Sequence, residues 1–285
     1  MFRKILPTFL LSLVCLLLAV GASADQNRLA VTTTNFSLPQ SEELVYQAEL
    51  SRALIRGLDV AEFHLTANRS EESDRAGQRN VGARLNLHVE AESKGLLRKL
   101  FGVRFHQQIE STVEPGSFLV LKTKKLDEQG DRRRESETLY DRNAHKLVWT
   151  ERDPNDPSRP PRVVTSDLNE ETQDLASLIY YLRAQPLAVG QSFEVLVNDS
   201  GRIYHVPVKV MERKKIKSVL GEIAALRVEP EMFGDNRPLR GNGQISIWLT
   251  DDENRIPVQA NIKNSMGTLN IKLKRFSSSR PNRSH

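Results

Sequence analysis

Asp174, Tyr180, Tyr181 and Arg183 form the densest group of chemically capable side chains in this 285-residue sequence. A guanidinium beside two phenols can hold an anionic head group while the rings line a pocket. The same residues also suit a structural role, with Arg183 paired to a carboxylate such as Asp252 and Trp248 packed on the same element, because buried charges are generally paired. Asp251, Asp252 and Glu253 offer oxygens for calcium, and with Asp174 they offer carboxylates for hydrolysis. Their setting between two apolar runs also fits a turn whose Asp and Asn side chains bond the backbone. The six histidines are scattered singly, with no His-x-x-x-His or His-Glu-x-x-His spacing, so no metal site is expected, although His64, His88 and His106 could meet across neighbouring strands. Arg132, Arg133 and Arg134 could grip a phosphate, but a solvated hairpin tip is the expectation for them. There is no Gly-x-Ser-x-Gly, phosphate loop or dinucleotide fingerprint in a usable setting, and no catalytic residue or cofactor is expected.

The first group stands on the one stretch with a helical period. Leu175, Leu178, Ile179 and Leu182 recur at i, i+3, i+4 and i+7, Asp174 can cap the start, and Pro186 with Gly190 stops the helix and turns the chain. Elsewhere the period is two. Strands are expected over 44–50, 58–65, 81–90, 103–113, 117–125, 138–140, 146–151, 192–197, 204–210, 244–250, 255–263 and 268–276, with a further hairpin through Ile216, Gly221 and Leu226 to Val228. Charged turns are expected at 69–78 and 127–137, and a Pro-rich surface loop at 153–161. Pro207 places its strand at an edge or beside a bulge, since proline gives the ladder no N–H. Leu96 to Phe101, between two glycines, reads as a helical turn over a sheet end, a membrane-touching turn or a lid.

The ends bound the compartment. Arg3 and Lys4 precede an apolar run from Ile5 to Val20 and the small-x-small site Ala22-Ser23-Ala24, which reads as a signal peptide over 1–24 cleaved before Asp25. The sole cysteine, Cys15, leaves with it, so disulfides, thiolate metal sites and cysteine nucleophiles are excluded from the mature chain. Removing Arg3 and Lys4 from the formal +5 leaves about +3, too little to argue for nucleic acid. Residues 25–41 read as a flexible leader, 42–276 as one β domain and 277–285 as a disordered tail.

The segments 174–183 (DLASLIYYLR) with Val189-Gly190, 221–230, and 247–258 (IWLTDDENRIPV) resemble the DUF3108 family of bacterial exported proteins, and 43–46 resembles that family's opening strand. The resemblance implies an exported, β-rich, periplasmic domain and carries no established activity. Asp174, Gly190, Asp252, Arg255 and Pro257 belong to its motifs and are expected to be structural.

The expected fold is mainly β: a single antiparallel, strongly curved sheet or open β-barrel, with the helix near 174–184 covering the concave side. The expected function is non-enzymatic binding, in the cell envelope, of an apolar or lipid-like ligand or a partner protein, with at most peripheral membrane contact. Tyr180, Tyr181, Arg183 and Trp248 are the candidate ligand residues. The alternative is a hydrolase of an envelope glycan or lipid acting through Asp174, Asp251 and Asp252.

Overall fold

The computed structural model describes residues 38–53, 55–73, 80–94, 104–168, 171–265 and 267–279. The stretches expected to be a signal peptide with Cys15 and a leader, up to residue 37, together with residues 95–103 and the residues from 280 on, lie outside the described residues.

Alternating half-apolar segments make fourteen strands among the described residues. They are β1 (Ser41–Arg52), β2 (Ile55–Ser73), β3 (Asn80–Ser93), β4 (Phe105–Val113), β5 (Val120–Gln129), β6 (Arg132–Asp141), β7 (Lys146–Arg152), β8 (Arg162–Asp167), β9 (Ser192–Asp199), β10 (Arg202–Ser218), β11 (Gly221–Pro230), β12 (Gly243–Thr250), β13 (Pro257–Asn264) and β14 (Gly267–Ser279). Helix α1 (Leu175–Ala184) lies between β8 and β9. All ladders are antiparallel and form one sheet in the order β8-β7-β6-β5-β4-β3-β2-β1-β14-β13-β12-β11-β10-β9. The first and last strands of the chain therefore pair at the centre, and β8 and β9 are the edges. The single curved antiparallel sheet is as expected.

Helix α1 packs against β3, β4 and β9 and is enclosed over most of its surface. Ala176, Ser177, Leu178, Tyr180, Tyr181, Leu182, Arg183 and Ala184 are all buried, which covers most of the surface of a helix this short. Two members of the expected apolar stripe, Leu175 and Ile179, are only half-buried. Around α1 the inward residues of many strands form the main core, including Leu85, Leu87, Val113, Tyr140, Leu147, Trp149, Val197, Val206, Val208 and Leu249. Fully burying one such leucine contributes roughly 1.5–3 kcal/mol. Tyr204 is half-buried and joins Val206, Val208 and Val210 in that cluster, as their alternation requires.

The two edges meet without a ladder. Gln173 N donates to Leu196 O (2.8 Å) and Asn198 N to Gln173 O (2.7 Å), which covers the β9 edge with the segment leading into α1. Ser166 Oγ, on β8, donates to Gly201 O at 2.7 Å. A Cβ on Gly201 (φ +81°) would lie 2.8 Å from Cβ of both Trp149 and Val164, so the β9–β10 turn needs glycine to close the seam.

Four sequence expectations are corrected. Residues 127–137 are not a charged loop: β5 and β6 run up to a two-residue turn, with Arg134, Arg133 and Arg132 opposite Asp127, Glu128 and Gln129. Cross-strand pairs of opposite charge stabilise a ladder that composition alone reads as a turn. Residues 69–73 likewise continue β2. Strand β10 is interior, with β9 and β11 on its two sides; Pro207 is tolerated because the β11 ladder begins only at Val208, while Pro207 O accepts from Glu231 N. Strand β8 was not expected; it is a short, largely exposed edge that follows the proline loop.

Candidate functional site

The helix is fixed at both ends by polar groups from distant strands. Asp174 is its N-cap: one carboxylate oxygen accepts from Ser177 N (2.7 Å), while Ser177 Oγ accepts from Asp174 N (2.9 Å), a reciprocal capping box. The other carboxylate oxygen accepts from the hydroxyls of Ser111 on β4 and Thr123 on β5, two residues directly opposite one another. Thr123 Oγ1 lies 3.4 Å from the Tyr140 hydroxyl, which accepts from Asn198 Nδ2 at 3.0 Å. Burial first, and then the Asp174 charge, push the Tyr140 phenol far above its usual range.

At the other end Arg183 is 1% exposed and Glu42 is 3% exposed. The guanidinium donates to both Glu42 oxygens, Nη1 to Oε1 (2.5 Å) and Nη2 to Oε2 (2.8 Å), and Nε and Nη2 also donate to Asn254 O (3.2 and 3.1 Å). It stacks 5.2 Å from the centre of the Tyr180 ring. Burial pulls the Arg183 pKa down, but the hydrogen bonds and charge of Glu42 outweigh it and hold the group above its ordinary value. Arg255 Nη1 donates to Arg183 O (3.1 Å) and to Gln185 O, which satisfies carbonyls that the helix end leaves open. Asp252 shapes the turn that presents these groups, its Oδ1 accepting from Thr250 Oγ1 (2.7 Å), Asn254 N (2.9 Å) and Arg255 N (3.0 Å). Pro257 O accepts from Tyr46 OH at 2.7 Å, and Gly190 N donates to Val210 O beyond the helix.

Arg183 is therefore paired with Glu42, not with Asp252, whose side chain faces its own turn. Tyr180 is fully buried beneath Arg183, and its phenol is pushed up chiefly by that burial. Tyr181 is buried against Phe118, with ring centres 6.1 Å apart; burial and then the Glu171 charge push its phenol up to about 12. Trp248 stands elsewhere. Ile245, Ile247 and Leu249 of β12 take the core side, and Trp248 with Gln244 and Ser246 lines a shallow dish of about 160 Å³ on the outer face, flanked by Arg227, Asn261 and Lys263.

The three strand histidines do share one outer face. His106 sits between Glu128 (2.9 Å) and Glu90 (2.6 Å), His88 is 4.0 Å from Glu90 and 3.9 Å from Glu110, and His64 is 2.7 Å from Glu62. Among the described residues no group of three His, Cys, Asp or Glu is placed to hold a metal. Partial burial lowers the His106 pKa, but hydrogen bonds to Glu128 and Glu90 raise it more, and Glu90 is held low by hydrogen bonds from Gln108 and His106. The raised His106 stabilises the fold fully below the unfolded histidine value near 6.5, and that contribution fades as pH rises through its folded value. Glu90 contributes above the ordinary glutamate value near 4.3 and loses that contribution as pH falls through its folded value. Both act together near pH 5.5. With each side chain about one-third exposed, His106→Gln is expected to remove roughly 0.5 kcal/mol there and almost nothing near pH 8. Urea midpoints across that range check this; a deficit that does not shrink with pH contradicts it.

The remaining candidates are placed apart from one another. Arg132 pairs with Asp127 (2.8 Å), Arg133 with Glu135 (2.7 Å) and Arg134 with Asp153 (2.5 Å), so the arginine run is neutralised. Asp251 pairs with Arg213, Asp252 caps its turn, and Asp174 lies at the far end of α1. Ten helical residues put Asp174 on the order of 15 Å from the Asp252 turn, beyond the roughly 5–9.5 Å that paired carboxylates need to cleave a glycoside. Glu42 was missed in the sequence because nothing local marks an acidic residue 141 positions away as the partner of Arg183.

The family model described as "Protein of unknown function (DUF3108)" matches residues 46–274, most of the chain and nearly all of the sheet. The chain belongs to the DUF3108 family. A comparison with curated proteins finds no match. Among solved structures, this DUF3108 chain is similar to a β-barrel-like protein of the domain of unknown function DUF1849 from Brucella abortus, with TM-score 0.52 and 11% identity over 85% of this chain and 99% of that one. At that identity the likeness concerns the fold alone. In this DUF3108 member the motif residues Asp174, Arg183, Asp252, Arg255 and Pro257 all lie in the network that seats the helix.

Proposed function

We propose that this DUF3108 member is an exported cell-envelope protein that binds rather than catalyses, and that it meets a lipid-like partner with its outer surface. One observation carries the reading: the polar side chains inside the sheet that are best suited to chemistry are engaged with one another. Arg183 is matched by Glu42, and Asp174 by Ser111, Thr123 and Ser177. An interior whose Arg183 and Asp174 charges are already matched supports binding at the outside. The basic start, apolar run and small-x-small site of the first 24 residues support export. No helix among the described residues is long and apolar enough to cross a membrane.

The test is to isolate the protein from the envelope of cells that produce it, then measure its intact mass and extract its lipids. The expected mass begins at Asp25, the protein partitions with envelope membranes in a salt-reversible way, and extracted lipid falls well below one per chain. A membrane-embedded chain that retains Met1, or one tightly held lipid per chain, overturns the reading.

A further inference from the structure

The β10–β11 hairpin outruns the sheet that carries it. On one side β9 pairs with β10 only as far as Lys209; on the other, β12 pairs with β11 only as far as Ala225, and Asp251 N makes one last bond to Ala224 O. From Lys215 to Ile223 the two strands pair with each other, register Lys215↔Ala224 to Ser218↔Gly221. The cross-strand pair Ile216 and Ile223 packs back on the cluster around Leu44, Tyr46 and Ile256, which anchors the ribbon's base.

Its composition is wrong for a hairpin that ends in water. Two-residue hairpin loops favour Asn, Asp and Gly, yet here the loop residues are Val219 and Leu220, 53% and 37% exposed. With Met211 at the bulge, three of the six exposed large hydrophobic side chains among the described residues lie on this one element, so the apolar surface is concentrated rather than scattered. Behind the tip come Arg213, Lys214, Lys215 and Lys217, against Glu222 on the ribbon and Glu212 at its base, the latter paired with Arg227. Arg213 pairs with Asp251 and Lys215 lies 3.9 Å from Glu222, whereas Lys214 and Lys217 have no ion-pair partner among the described residues. The contrast with the fully paired arginines 132–134 is direct.

We propose that this hairpin docks the protein onto an anionic phospholipid bilayer, Val219 and Leu220 entering the interface while Lys214, Lys215 and Lys217 meet head-group phosphates. An exposed apolar pair gains free energy at the acyl boundary, and basic residues close behind it add an attraction that salt screens. The proposal rests on the outer-surface reading above and names its contact element.

The test uses the full mature chain, sedimented with vesicles of phosphatidylcholine alone or mixed equally with phosphatidylglycerol. Binding is expected only to the mixed vesicles and should weaken as salt rises. Lys214→Glu/Lys217→Glu is expected to weaken it about twenty-five-fold or more, about fivefold or more per site, and Val219→Asp/Leu220→Asp at least tenfold. Both pairs are exposed, so unchanged melting temperatures confirm that the variants fold. Absence of binding to the mixed vesicles, or equal binding by wild type and both variants, overturns the proposal. If the tip variants instead abolish cross-linking to an envelope protein while vesicles are ignored, the lipid assignment fails and the envelope-binding reading survives.

Discussion

Arg183→Ala is expected to destabilise the folded protein by about 3–5 kcal/mol, because it strands the Glu42 carboxylate, 3% exposed, without its counter-charge. The loss also removes the two donors that Asn254 O accepts from, leaving Arg255 as the remaining tie between the β12–β13 turn and the helix end. Glu42→Ala should cost a similar amount from the opposite side. Glu42→Leu with Arg183→Met should cost much less than the two losses combined, since replacing both charges by apolar groups leaves no unpaired ion. Against a total stability of about 5–15 kcal/mol, either single change is severe. Urea unfolding of the four proteins measures it. A loss under about 1 kcal/mol for both single variants, the range of an exposed pair, would refute the buried clamp.

Asp174→Ala is the second large effect, with an expected loss of about 3 kcal/mol. The N-cap contributes about 1 kcal/mol, and the bonds from buried Ser111 and Thr123 to a charged acceptor contribute about 2 kcal/mol more. Asp174→Asn separates the two, because asparagine caps a helix as well as aspartate but carries no charge for the two hydroxyls. Stability should therefore fall in the order wild type, Asn, Ala. Equal losses for Asn and Ala, measured in the same urea series, would show that the cap contributes nothing.

The same two residues show how far the sequence could be read. Asp174 before a run of period 3.6 announces a capped helix, and Arg183 inside a run that must be buried announces a partner. The partner itself depends on the register of β1 beside β14, with Glu42 opposite Ser278, and local pattern carries no information about pairing across more than 230 residues. The orientation of Trp248 is legible in the sequence: Ile245, Ile247 and Leu249 alternate with it, so a residue between two core positions of β12 faces the other side of the sheet. Arginines 132–134 read as a turn because charge density is a cue to turns, whereas they stand in the β5–β6 ladder and pair with Asp127, Glu135 and Asp153. Strand β8 left almost no signal, since a six-residue edge with exposed Val163 needs no sustained alternation. The hairpin tip is the reverse case: its Val-Leu loop breaks the turn rule in the sequence itself, but its exposure becomes evident only once β9 and β12 are seen to stop short.

Whether α1 is a plug or a lid decides between a filled interior and a ligand chamber, and hydrogen exchange reads this directly. With Asp174 and Arg183 anchored to opposite ends and the helix buried over most of its surface, the amides of Leu178 to Ala184 should exchange only through global opening, as slowly as those of β3 and β4. Exchange of the helix many-fold faster than those strands, in a protein whose sheet stays protected, would contradict the filled core and make α1 a mobile cover over an open space.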